Sequence, residues 1–187
     1  VIAKIEMPEA LADIDGILAE ADGIMIARGD LAIEIPAAEV PLAQKLLIRK
    51  SNALGKPVIT ATQMMESMID SPVPTRAEIS DVANAIIDGT DAIMLSEETA
   101  LGKYPTETVK EMSSIALRIE QEVYTRDIIA EYEESHGVTD TVSQSSVRMA
   151  HGVGAKLIAA LTRSGKTARM IARYRPAERI LALTDDA

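Results

Sequence analysis

Lys4 and Glu6 stand two residues apart in Val1-Ile2-Ala3-Lys4-Ile5-Glu6, a spacing that on a β-strand turns both side chains to one face. Taken alone, a Lys-x-Glu pair is by default a solvated ion pair. The same change from apolar run to polar end recurs in Ala27-Arg28-Gly29-Asp30, Ala61-Thr62-Gln63 and Leu95-Ser96-Glu97-Glu98-Thr99. In a parallel barrel such strand ends converge on one mouth. They would bring together an ammonium, several carboxylates, hydroxyls and a glycine that lets backbone approach closely. That inventory suits an anion bound through a metal. Glu6 and Asp30 are hard oxygen ligands of the kind of which Mg²⁺ takes one or two. Lys4 would then neutralise charge on a transferring phosphoryl group or a developing enolate.

The elements that must position these groups follow from the alternation of short apolar runs with segments of helical period, which predicts βα units around a parallel sheet. Strands are expected at Val1 to Ile5, Gly23 to Ala27, Pro57 to Ala61 and Ala92 to Leu95. Val40, Leu42, Ala43, Leu46 and Leu47 give the segment from Ala38 to Leu54 a wide apolar face, and Gly55 is its stop signal. From Pro105 to Tyr124, Val109, Met112, Ala116, Ile119 and Val123 recur at spacings of three and four, predicting a helix with proline in its first turn. Around Arg126 to Ser146 the pattern turns polar and irregular, and a domain boundary is expected there, dividing 1–126 from 127–187. Beyond it, strands at Leu157 to Leu161 and Arg179 to Leu183 flank a helix from Lys166 to about Arg173, one further βαβ unit. Four βα units cannot close an eight-stranded barrel, so the sequence reads as cut from something larger.

Composition narrows the function. The 187 residues carry 19 Lys and Arg against 29 Asp and Glu, a net charge of −10, which disfavours nucleic acid and anionic membrane. Cysteine is absent, excluding disulfides, zinc-thiolate sites and thiol nucleophiles. No run approaches the roughly 20 apolar residues of a membrane span, and no signal segment is visible at the N-terminus. With tyrosine as the sole aromatic, the core must be aliphatic, and Met64, Met65 and Met68 are expected in it.

Several motifs together carry a resemblance. Ile2-Ala3-Lys4-Ile5-Glu6, Asp22 to Leu31, Gly55 to Met64, Pro74-Thr75-Arg76-Ala77-Glu78, Asp81 to Ala85, Asp91 to Ser96, Ser164 to Ala168 and Ala172 to Pro176 closely resemble pyruvate kinase. The likeness covers nearly the whole chain and is weakest from about Arg126 to His151. It implies an α/β fold: a partial TIM-type (β/α)8 barrel, strands five to eight, followed by part of an α/β regulatory domain. It further implies phosphoryl transfer from phosphoenolpyruvate to ADP, giving ATP and pyruvate. By this resemblance Lys4 is the cation at the phosphoryl group and enolate oxygen. Glu6 and Asp30 hold Mg²⁺ or Mn²⁺, the Gly29 and Asp30 amides receive the substrate carboxylate, and Thr62 lies beside the substrate. Arg28 is counted with these substrate-binding residues, while Ser96 and Glu98 belong to the water network that protonates the enolate. K⁺ ligands, an arginine near the phosphate and most of the nucleotide site are expected outside this chain. The isolated chain is therefore expected to be inactive. A cytoplasmic homotetramer is implied, with Arg76 near a subunit contact, unless Arg76 merely pairs with Glu78.

One position departs from the family. Where Ser-Gly-Glu-Thr-Ala is usual, this chain has Ser96-Glu97-Glu98-Thr99-Ala100. Glu97 would be strained if the backbone there needs positive φ, and unremarkable if φ is ordinary and the side chain meets solvent.

Thr162, Arg163, Ser164, Gly165, Lys166 and Thr167 follow one expected strand and open a helix, where amides, hydroxyls and two cations could hold a phosphate. The resemblance makes this the pocket of a sugar-phosphate or nucleotide effector; an ordinary capped turn is the alternative. It is no P-loop, because Ala160 replaces the upstream glycine. Gly152-Val153-Gly154 reads as a turn, and His136 and His151 as solvated or capping side chains. Two other functions remain open: a metal-dependent lyase or aldolase of the phosphoenolpyruvate and pyruvate barrel group, which would not depend on ADP, and a non-catalytic assembly or effector-binding piece.

Overall fold

The computed structural model describes residues 1–123 and 137–185, which fall into two compact units. One comprises residues 1–52 and 56–121, the other residues 53–55 and the chain beyond 121. The boundary expected near Arg126 lies outside the described residues, as do Tyr124, His136 and the acidic stretch around Glu131.

The first unit is built on four parallel strands, β1 (Ile2–Ile5), β2 (Gly23–Ala27), β3 (Val58–Ala61) and β4 (Ala92–Met94), in the spatial order β1-β2-β3-β4. Each strand pairs with its successor, in the registers Ile5 with Ile26, Ala27 with Ala61 and Ala61 with Met94. Winding that never reverses is the topology of a barrel wall, and it sets all four C-terminal ends side by side. Helices α1 (Pro8–Ala12) and α2 (Ile14–Glu20) lie between β1 and β2. Helices α3 (Arg28–Glu34) and α4 (Val40–Ala53) join β2 to β3, and α5 (Arg76–Ile87) joins β3 to β4. A short helix, α6 (Glu97–Ala100), and the long α7 (Pro105–Val123) follow β4.

Two aliphatic cores hold the unit together. Ile5, Ile24, Ile26 and Val58 of the sheet pack with Ile14 and Leu18 of α2 and Leu47 and Ile48 of α4. Met64, Met65 and Met68 pack with Val82, Ala85 and Ile115, so the methionine cluster is core, as expected. These side chains are essentially inaccessible to water, and burying each of the Val, Leu, Ile and Met side chains among them stabilises the fold by roughly 1.5–3 kcal/mol.

The second unit contains α8 (Val138–Gly152), β5 (Leu157–Leu161), α9 (Lys166–Ala172) and β6 (Arg179–Leu183). The two strands are parallel and paired from Leu157 with Arg179 to Leu161 with Leu183. Val147, Ala150, Ile158, Ala160, Ile171 and Tyr174 form its core. Helix α8 overturns the irregular reading of residues 138–146. Its hydroxyls are satisfied along the helix, Ser143 Oγ donating to the Thr139 carbonyl at 2.8 Å and Ser146 Oγ to that of Val142 at 2.7 Å. Asp140 is buried in its first turn, where Arg173 Nη2 lies 3.2 Å and Tyr174 Oη 2.6 Å from Oδ1. Among the described residues no helix is long and apolar enough to cross a membrane.

Candidate active site

Strand β1 carries Lys4 and delivers Glu6 immediately beyond its last residue, while β2 runs without a loop into α3, whose third residue is Asp30. The Lys4 ammonium pairs with the Glu6 carboxylate and lies 2.9 Å from Asp30 Oδ2. All three side chains are about half exposed. Hydrogen bonding to Lys4, and then its charge, hold the Asp30 carboxyl below the usual carboxylate range. The bond to Asp30, followed by that to Glu6, pushes the Lys4 ammonium up. One cation therefore already binds both carboxylates at once. Among the described residues no three potential ligands gather, but Mg²⁺ needs only one or two carboxylates and completes its shell with water and substrate oxygens. Donors of this kind, converging on a common cation, fit a divalent metal.

Beside this cluster, β3 ends at Ala61 and the chain turns through two left-handed residues, Thr62 (φ 68°) and Gln63 (φ 54°). Neither residue type favours that region, and each departure costs of order 1 kcal/mol or more. Thr62 is held there from both sides. Its hydroxyl accepts from the Gly29 amide at 2.7 Å and donates to the Ala61 carbonyl at 2.6 Å, while its carbonyl accepts from Arg28 Nη2 at 2.7 Å. Gly29 permits the approach, since a Cβ there would stand 3.3 Å from Thr62 Oγ1. The amide expected to receive the substrate carboxylate thus donates here to Thr62.

The Arg28 guanidinium is buried and engaged by protein. Nη1 lies 2.7 Å from the Asp81 carboxylate and 3.3 Å from Gln44 Oε1, and Nη2 lies 2.8 Å from Met64 Sδ as well as bonding Thr62. Nε has no partner. Through these contacts Arg28 ties the start of α3 to α4, α5 and the turn after β3. Asp81 and Gln44 are the partners of Arg28 that sequence reasoning missed. Asp81 lay inside a motif quoted for the resemblance, with nothing to say that it faces Arg28.

After β4, Ser96 leads into α6, and Glu98 is buried at 2% exposure. Its Oε2 accepts from the Ser96 amide at 2.7 Å and its Oε1 from the Met65 amide at 3.2 Å. Glu98 therefore joins the turn after β4 to the turn after β3. Glu97 lies in α6, is exposed, and is not among the residues of positive φ. The strain considered for Glu97 is absent, and left-handed strain sits at Thr62 and Gln63 instead.

Arg76 is exposed at the first turn of α5. Its pairing with Glu78 is not found. Glu78 closes a capping box with Thr75 and also accepts from the amide and hydroxyl of Ser67, both at 2.6 Å. Burial pushes the Glu78 carboxyl up, but the bonds from Ser67 and Thr75 together outweigh it and hold the group below its ordinary value.

The loop Thr162–Thr167 belongs to the second unit. It leaves β5 with the Thr162 amide donating to Leu183 at 2.9 Å and caps α9 with left-handed Gly165 (φ 74°). Arg163 faces Asp185 at 3.6 Å, both exposed, beside a depression also lined by Leu161, Thr162, Leu183 and Thr184. Ser164 and Lys166 are exposed and Thr167 is half-buried.

Sequence comparison accords with this division. The pyruvate kinase barrel domain matches residues 1–109, and the pyruvate kinase alpha/beta domain matches residues 140–187. The chain belongs to the pyruvate kinase family. It is 57% identical over 188 residues to pyruvate kinase of Geobacillus stearothermophilus, covering 100% of this chain and 32% of that protein. It is 54% identical to that of Lactobacillus delbrueckii subsp. bulgaricus over 190 residues, with the same coverage. Against the cytosolic isozyme of Glycine max it is 48% identical over 186 residues, covering 97% of this chain and 36% of that protein. The chain thus spans about a third of the length of the curated relatives it matches.

Proposed function

We propose that this chain carries the phosphoryl- and metal-binding side of a pyruvate kinase active site, as strands five to eight of the catalytic barrel within residues 1–126, with residues 127–187 opening the regulatory domain. What carries the reading is the convergence of Glu6 and Asp30 on Lys4, beside Gly29 and Thr62, at the C-terminal ends of adjacent parallel strands.

Glu6 and Asp30 hold Mg²⁺ or Mn²⁺, which when bound supplies Lewis-acid neutralisation of charge on substrate oxygens. Lys4 faces the phosphoryl group as its bond to the enol oxygen of phosphoenolpyruvate breaks and a bond to the terminal phosphate oxygen of ADP forms. It then stabilises the enolate oxygen left behind. The Asp30 amide receives the substrate carboxylate, joined by the Gly29 amide when the substrate takes the place of the Thr62 hydroxyl on it, and Arg28 acts through Thr62 as a positioning residue. The enolate takes a proton at carbon through a water network that Ser96 borders and Glu98 holds in place. Lys4 acts mainly in the transition state, so its loss removes more rate than affinity.

In the whole protein we place K⁺ on ligands outside this chain, ADP and ATP as partners, a cytoplasmic homotetramer with Arg76 at a subunit contact, and a sugar-phosphate or nucleotide effector on Thr162, Arg163, Ser164, Gly165, Lys166 and Thr167. The test is a chimera in which this segment replaces its counterpart in the Geobacillus stearothermophilus enzyme. It is expected to form pyruvate from phosphoenolpyruvate, ADP and Mg²⁺, with Lys4→Ala abolishing turnover at little change in substrate affinity. Turnover indifferent to Lys4 would overturn the reading. The isolated chain is predicted to form no pyruvate.

A further inference from the structure

The Lys4 ammonium occupies the point on which both candidate metal ligands converge, pairing with Glu6 and lying 2.9 Å from Asp30 Oδ2. A divalent cation bound by those oxygens would meet a positive charge in contact with its own ligands. Two cations at that separation repel, and the ammonium, on a flexible four-carbon stem, is the one free to move. Lys4, Glu6 and Asp30 are all about half exposed in this chain, which leaves the ammonium room to move within it.

We infer that Lys4 and the divalent metal exchange at the same two carboxylates, so that metal entry releases the ammonium from Glu6 and Asp30 and frees it for an anionic ligand. This rests on the metal-binding reading of Glu6 and Asp30 given above. The exchange also changes the sign of the site. Lys4 with two carboxylates carries a net charge of −1, which repels an anion; adding a divalent metal brings it to +1, which attracts one. Metal and anion are thereby coupled through a single side chain, without movement of the backbone.

The experiment follows the side chain directly. The chain is prepared with lysine labelled at Nζ and Cε, the Lys4 signals are assigned by their loss in Lys4→Met, and Mg²⁺ is titrated in by NMR. The expected result is saturable binding during which the Lys4 ammonium signal moves to the position of a free lysine and its protons exchange faster with water. In parallel, Mn²⁺ binding is read from the free-ion EPR signal, with Lys4→Met expected to bind on the order of tenfold more tightly, because two competing ion pairs are removed. Saturable Mg²⁺ binding with an unmoved Lys4 signal overturns the exchange while leaving the metal reading intact. Lys4→Met binding Mn²⁺ no more tightly than the parent chain does the same. Failure of either metal to bind at millimolar concentration overturns the metal reading and the exchange together.

Discussion

Replacing Glu98 by glutamine changes one oxygen to nitrogen and adds no volume, yet it should be among the most damaging conservative changes in the first unit. The carboxylate is 2% exposed, and its two oxygens accept from the Ser96 amide at 2.7 Å and the Met65 amide at 3.2 Å. A glutamine retains one acceptor oxygen, so its NH₂ must face the other amide, donor against donor. One charge-assisted bond is lost, worth roughly 1.5–3 kcal/mol, and a buried amide is left without an acceptor at roughly 1–3 kcal/mol. The two costs overlap, and a total of about 2–4 kcal/mol is expected. Amide hydrogen exchange reads this locally: protection of Met65 and Ser96 should fall by a factor of about 30 to 1,000. The exposed neighbour supplies the control, Glu97→Gln being expected within about 0.5 kcal/mol of the parent. If Glu98 served proton transfer alone, Glu98→Gln would leave protection at both amides unchanged, and that result would refute the holding role.

Three further outcomes follow from the same geometry. Gln63 is exposed and left-handed at φ 54°, so Gln63→Gly should raise stability by up to about 1 kcal/mol in urea unfolding; a loss would mean that the conformation is not strained. Glu78 titrates lower in the fold than in the unfolded chain, so its contribution is complete above about pH 4.5 and is lost as pH falls through the depressed folded value. Measured from pH 7 to 3, the stability gap between the parent and Glu78→Gln should therefore narrow, and a gap independent of pH would contradict the assignment. Burial, and then the bond to Asp140, push the Tyr174 phenol up to about 12. It keeps its proton longer when folded, so stability is intact below about pH 10 and falls as pH rises from 10 to 12. Tyr174→Phe should flatten that alkaline limb, while the phenolate absorbance it removes should be the one appearing last.

Parts of this structure were legible because the signal was local. The runs read as strands at Val1–Ile5, Gly23–Ala27, Pro57–Ala61 and Leu157–Leu161 contain the strands Ile2–Ile5, Gly23–Ala27, Val58–Ala61 and Leu157–Leu161, since apolar stretches bounded by glycine, proline and charge leave few alternatives. Lys4, Glu6 and Asp30 were found by the two-residue spacing on a strand and the recurrence of polar strand ends. Helix α8 was missed because its buried face includes Asp140 and Ser143, polar residues made acceptable by Arg173, Tyr174 and a backbone carbonyl. No reading of period could supply those partners. Arg28 shows the same limit. Its inward turn depends on Gln44, Thr62, Met64 and Asp81, which only the finished fold brings together. The left-handed turn at Thr62 and Gln63 had no announcing residue type, because the glycine, asparagine or aspartate that usually marks one is absent there.

The central claim is that two carboxylates at adjacent strand ends make a divalent-metal site, and a Mn²⁺ titration of the chain beside Glu6→Gln and Asp30→Asn tests it most directly. The account predicts saturable binding by the parent chain, weakened about tenfold or more in each variant. Equal Mn²⁺ affinity in all three proteins would contradict it.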